Sequence, residues 1–142
     1  MKIIFDSKDK TILTVDMGEE FFTVINKFAK DRNTSFTFSV IGGCESVELA
    51  YYDLGSKKYI TKEFKEEIIE IITMTGNAAW YEGKPLIHAH GVFSGKNYKC
   101  FGGHVMKIPI SLTAEVVISW LNKKIEKEYD TETGLKFLCK NT

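Results

Sequence analysis

Three histidines carry the clearest chemistry in this sequence. His88, His90 and His104 are the only histidines of the 142-residue chain, and all lie within residues 88–104. Neutral imidazole ligates divalent metals, zinc above all, with the ion about 2 Å from the ring nitrogen. His88 and His90 form a His-x-His pair inside the apolar segment 85–93. His104 follows Gly102-Gly103 and opens the apolar run 105–110. On a β-strand, residues i and i+2 face the same side, roughly 6.5–7 Å apart, so His88 and His90 can converge on one ion.

The element that must position them is a hairpin. Ser94-Gly95-Lys96-Asn97 is a cluster of turn formers between the two segments. Register decides whether His104 joins the pair. If Ser94 pairs with Tyr98 across a three-residue loop, His104 lies directly opposite His88 and all three imidazoles share a face. Asn97 suits the left-handed position that such a loop requires. A two-residue loop would turn His104 to the other face, and a bulge at Gly102-Gly103 would change the count again.

The remaining composition narrows the function. A chain of this length suits one compact domain over residues 1–142, and 44% hydrophobic residues supply a sizeable core. No apolar run approaches a membrane span, and the opening MKIIFDSKDK has charge where a secretory leader needs an apolar block. A soluble cytoplasmic protein with no membrane partner is expected. Cys44, Cys100 and Cys139 are odd in number and widely spaced, which favours buried free thiols over a disulfide framework. Nineteen basic residues balance nineteen acidic ones, and Arg32 is the single arginine. Neither the basic excess nor the basic stripe of a nucleic-acid binder is visible, so DNA binding by this chain alone is expected to be weak and without sequence preference.

The hydrophobic pattern predicts mostly strands. Segments 3–5 and 11–17 read as a strand pair. Glu19 and Glu20 open a helix running to about Arg32, with Phe21, Ile25 and Phe28 on its apolar stripe. Segment 36–40 alternates as a strand, Gly42-Gly43 breaks it, and 47–52 forms the next. A turn at 53–56 leads to a short strand near 58–61. Segment 67–80 reads as a strand kinked or bulged at Gly76, with a helix over its first part as the alternative. A turn at 81–84 precedes the histidine hairpin, and Pro109 lies near the end of its second strand. Segment 112–120 alternates again, the tail 122–128 is mostly charged, and 135–138 offers a last short strand.

From about Lys10 to Trp120 the order of these elements resembles the plants and prokaryotes conserved (PPC) domain. The resemblance rests on Met17-Gly18-Glu19-Glu20 before the helix, Val40-Ile41-Gly42-Gly43-Cys44 before the next strand, and Glu70-Ile71-Ile72-Thr73-Met74-Thr75-Gly76. Most specific are Ile87-His88-Ala89-His90 and Gly102-Gly103-His104-Val105, in this order and at this spacing. The resemblance implies an α+β fold, a mainly antiparallel curved sheet packed with one principal helix. It also implies a homotrimer, a metal at the three histidines, and a fold similar to acetolactate decarboxylase. Glu70 matches the family's acid. It is expected either as a fourth ligand or partner of a ligating imidazole, or as a solvent-facing strand residue paired with a lysine.

Plant members join the domain to an Arg-Gly-Arg-rich DNA-binding segment, and no Arg-Gly-Arg occurs here. DNA therefore enters as a partner through the resemblance alone. Two functional readings stand. The first is a trimeric, zinc-binding module with a regulatory or DNA-associated role. The second is a metal-dependent enzyme using the three-histidine zinc site. Acetolactate chemistry itself is disfavoured, because Arg32 belongs to the helix end and no arginine lies on the histidine strands.

Overall fold

The computed structural model describes residues 1–139. Strands β1 (Lys2–Asp6) and β2 (Lys10–Asp16) form the expected opening pair. Helix α1 (Phe21–Arg32) follows, capped by Glu20, whose carboxylate accepts hydrogen bonds from the Phe22 and Thr23 amides at 3.2 and 2.8 Å. The helix ends at Asn33 in the left-handed conformation. Phe21, Ile25, Phe28 and Ala29 are buried, so the predicted apolar stripe is the face that meets the sheet.

Five longer strands follow: β3 (Phe36–Asp53), β4 (Lys58–Tyr81), β5 (Lys84–Ser94), β6 (Cys100–Lys107) and β7 (Ile110–Trp120). The sheet order is β1-β2-β7-β3-β4-β5-β6, with every neighbouring pair antiparallel. Strand β6 also pairs with the far half of β3, so the sheet curls back on itself. A mainly antiparallel curved sheet packed with one principal helix is the α+β architecture expected. A small second sheet, β8 (Lys127–Tyr129) with β9 (Lys136–Leu138), lies after the main one.

Several elements differ from the sequence pattern. Segments 36–40 and 47–52 are one strand, not two. Gly42 bends β3 without ending it, at bulges between Val40 and Gly42 and between Cys44 and Ser46. Gly42 has φ +152, and a β-carbon there would stand 2.1 Å from the Thr113 carbonyl oxygen. Only glycine permits both the conformation and the close approach of β7. Segments 58–61 and 67–80 are likewise one 24-residue strand. The helical alternative fails because β3 pairs along most of that stretch and β5 joins on the other side from Glu70 onward, so its backbone groups are satisfied by a sheet ladder. Strand β8 comes from the tail read only as charged; three residues of charge and aromatic carry no periodic signal. Of the cysteines only Cys44 is buried, Cys139 is half-buried and Cys100 exposed, which corrects the expectation of three buried thiols.

The predicted irregularity at Gly76 is absent. Gly76 pairs in register with Phe38 and Ala89, and the bulge toward β5 falls between Ile71 and Thr73. Its role is close packing: an added β-carbon would stand 2.3 Å from the His88 carbonyl oxygen and 2.5 Å from the Phe38 ring. Gly76→Ala is therefore expected to lose about 1–3 kcal/mol through overpacking. Gly103→Ala, whose new carbon would meet nothing closer than 3.6 Å, should change little. Urea denaturation of both variants checks this; equal midpoints would show that the strands can separate around Gly76 without cost.

Candidate metal centre

The histidines converge, through a register different from the one expected. Ser94 pairs with Cys100 rather than Tyr98, so the loop holds five residues, and Tyr98 rather than Asn97 takes the left-handed conformation at φ +60. His104 consequently lies opposite His90, not His88. A shift of two residues preserves the side-chain face, so the three imidazoles still share one side. No bulge interrupts Gly102-Gly103 in this ladder. Ring centroids are 5.1 Å apart for His88 and His90, 5.0 Å for His88 and His104, and 5.2 Å for His90 and His104.

The nitrogens fit a tetrahedral ion. Bonds of about 2.0–2.1 Å at tetrahedral angles put ligand nitrogens about 3.3 Å apart. His88 Nε2 and His90 Nε2 are 3.2 Å apart, and one ligand atom from each of the three histidines lies within 4.8 Å of the others. Among the described residues this is the group of potential ligand atoms that converges, and it contains no carboxylate. Glu70 is exposed and pairs with Ser94, four residues along β5 from His90, roughly 13 Å by strand rise. The fold does not bring it to the histidines of its own chain.

Other residues complete the surroundings. Tyr59 stacks on His104 with ring centroids 5.2 Å apart and planes at 26°, and Tyr52 packs edge-on against Tyr59 at 4.9 Å. Asn77 sits opposite His88, and its Oδ1 is buried without a hydrogen-bond donor. A groove of about 350 Å³ opens beside His90, with Thr73 and Thr75 on one wall and Gly102 and Gly103 on the other. These residues were silent in the sequence because Tyr59 and Thr75 reach the histidines only through strand pairing. Arg32 is engaged elsewhere, bonded to the Asp6 carboxylate and lying over Phe28 and Trp120.

Burial sets the protonation states. It pushes the pKa of His88 down to about 4, with the Lys127 ammonium the next cause and the other two histidines after it. His104 is lowered as well, by burial first and then by His90 and Lys127. Lys127 is itself lowered by burial and by Lys136. These imidazoles are therefore neutral near pH 7, the form that ligates a metal.

In the metal-free protein the consequence is a stability that falls with acid. Between about pH 6.5 and 4 the unfolded chain binds a proton at His88 that the folded chain refuses, so the unfolded state gains on acidification. A histidine NMR titration should place the His88 midpoint near 4, with denaturation midpoints decreasing across the same window. A His88 midpoint close to 6.5 would mean that the ring is solvated.

Comparison with known proteins agrees with this architecture. No curated protein matches the chain. Among solved structures, a Bacteroides thetaiotaomicron protein provisionally described as DNA-binding superposes with a TM-score of 0.92 at 22% identity, over 97% of this chain and 96% of that one. A metal-containing protein of Archaeoglobus fulgidus is 27% identical, with a TM-score of 0.83 over 99% of this chain and all of that one. Acetolactate decarboxylase of Bacillus subtilis subspecies spizizenii shares the fold at a TM-score of 0.55 and 17% identity, over 77% of this chain and 51% of that one. The family model of the Plants and Prokaryotes Conserved (PCC) domain matches residues 5–122, and the chain belongs to that family.

Proposed function

We propose that this protein is a trimeric metal-binding module in which His88, His90 and His104 hold one divalent ion, zinc by preference. The observation that carries the reading is the convergence of three imidazoles on one strand face at the spacing of a tetrahedral ion. The low pKa of His88 supports it, because the ring needs no deprotonation at neutral pH. So does the metal found in the Archaeoglobus fulgidus relative. Glu70 stays outside the ligand set proposed within one chain. Protein purified without a histidine tag should contain about one metal per chain by elemental analysis, and His90→Ala should lose it. Unchanged metal content in that variant would remove the proposed site.

The trimer is supported by the outer face of the sheet. Phe5, Ile12 and Val117 lie in a paired row across β1, β2 and β7, all exposed. Ile41, Ile68, Ile72 and Leu112 are exposed as well. Contiguous apolar surface of this kind marks an interface more often than a free surface. Light scattering at micromolar concentration should give about three times the 16.2 kDa chain mass; a monomer mass would refute the assembly.

A regulatory role alongside DNA is the reading that the Bacteroides relative suggests. Zero net charge and a single arginine, already engaged by Asp6, argue for weak and non-specific contact by this chain. The groove beside His90 favours the second reading, a metal-dependent enzyme, because three histidines leave a coordination position for water or substrate.

A further inference from the structure

The segment after β7 lies beyond the family match, which ends at residue 122, yet it returns to the histidines. It is pinned at two places. At one, the Trp80 amide donates to the Ile125 carbonyl at 2.8 Å, and Glu126 bridges Trp80 in parallel. Trp80 is three residues along β4 from Asn77, the partner of His88. At the other, the Tyr52 hydroxyl donates to the Thr133 carbonyl, and Lys57 Nζ donates to the Thr131 carbonyl at 3.1 Å. Tyr52 packs on Tyr59, which stacks on His104. The β8–β9 hairpin thus runs as a strap from the His88 end of the cluster to the His104 end. Lys127, the first residue of β8, is half-buried in this strap and directly follows Glu126, the residue bridged to Trp80 at the His88 end.

The charge balance there is unusual. Three neutral imidazoles leave a divalent ion with both its charges, the converging group holds no carboxylate, and Lys127 adds a third positive charge. Partly buried charges of one sign require a counter-charge. We propose that the strap supplies Lys127 as the cation that recognises a small oxyanion, a carboxylate or a phosphate, bound at the three-histidine centre. The groove beside His90, walled by the Thr73 and Thr75 segment, gives the remainder of such a ligand room. This inference rests on the metal reading above and names the ligand class that the same site would take.

Cobalt-loaded protein tests it through the visible spectrum of the ion, without any assay of turnover. Titration with acetate or with inorganic phosphate should change the spectrum saturably, and neutral acetamide should not; which anion binds identifies the head group. Lys127→Met should weaken that binding about tenfold or more while cobalt content stays at about one per chain. Lys127→Arg should retain the binding, which separates loss of charge from loss of the strap. Equal anion affinity in wild type and Lys127→Met, equal binding of acetamide, or no spectral response to either anion would overturn the proposal and leave the metal site standing. Failure to load cobalt at all would overturn both.

Discussion

β3 changes partners midway, and the histidine cluster depends on that change. Its first half pairs with β7 from Phe36 to Cys44, while Glu48 to Ala50 pair with β6. The transfer happens over a few residues, through two bulges and a glycine in contact distance of the β7 backbone. Without the bend, β3 would continue beside β7 and β6 would remain an edge strand. With it, His104 is held on two sides, opposite His90 on β5 and opposite Ala50 on β3. An imidazole held by two ladders and a tyrosine ring is far better positioned than one on a free edge, and a ligand site needs that preorganisation.

The electrostatics of the cluster run against those of an acidic metal cage. A histidine buried beside a lysine is costly to protonate, so the fold loses stability in acid by keeping these rings neutral. That arrangement favours a soft or borderline ion with nitrogen ligands over calcium or magnesium, which take oxygen donors. With the proposed ion bound it would also leave positive charge for an external ligand to neutralise, since the converging group contains no carboxylate.

The two faces of the curved sheet divide their work. The inner face packs Phe36, Phe38, Val116 and Ile118 against the helix. The outer face carries an apolar row on β1, β2 and β7 at one end and the histidines on β5 and β6 at the other. Strand alternation permits this, since each long strand offers one set of side chains to the core and leaves the other on the outer face. β3 and β4 are long enough to reach toward both regions, so the apolar row and the histidine cluster sit on one continuous framework.

Local pattern was sufficient for the helix, for most strand starts and turns, and for the idea of a three-histidine site. Those features depend on periodicity, on turn chemistry and on residue types close in the chain. The common face of the histidines was legible for a related reason: even with the loop length misread by two residues, side-chain parity survived. What pattern misplaced were the breaks. Gly42 looks like a strand end and is a bend, and Gly76 looks like a kink and is a close contact with His88 and Phe38. A glycine announces that backbone is needed nearby but does not say whose. Tyr59, Asn77 and Lys127 were invisible as site residues, because each lies at least eleven residues from the nearest histidine and arrives through strand pairing or through the strap. The sequence by itself thus determined the candidate ligand types and the shared face they occupy. Tertiary structure alone decided which histidines stand opposite each other, what buries them and which charge stands beside them, since these follow from long-range pairing that no local pattern encodes.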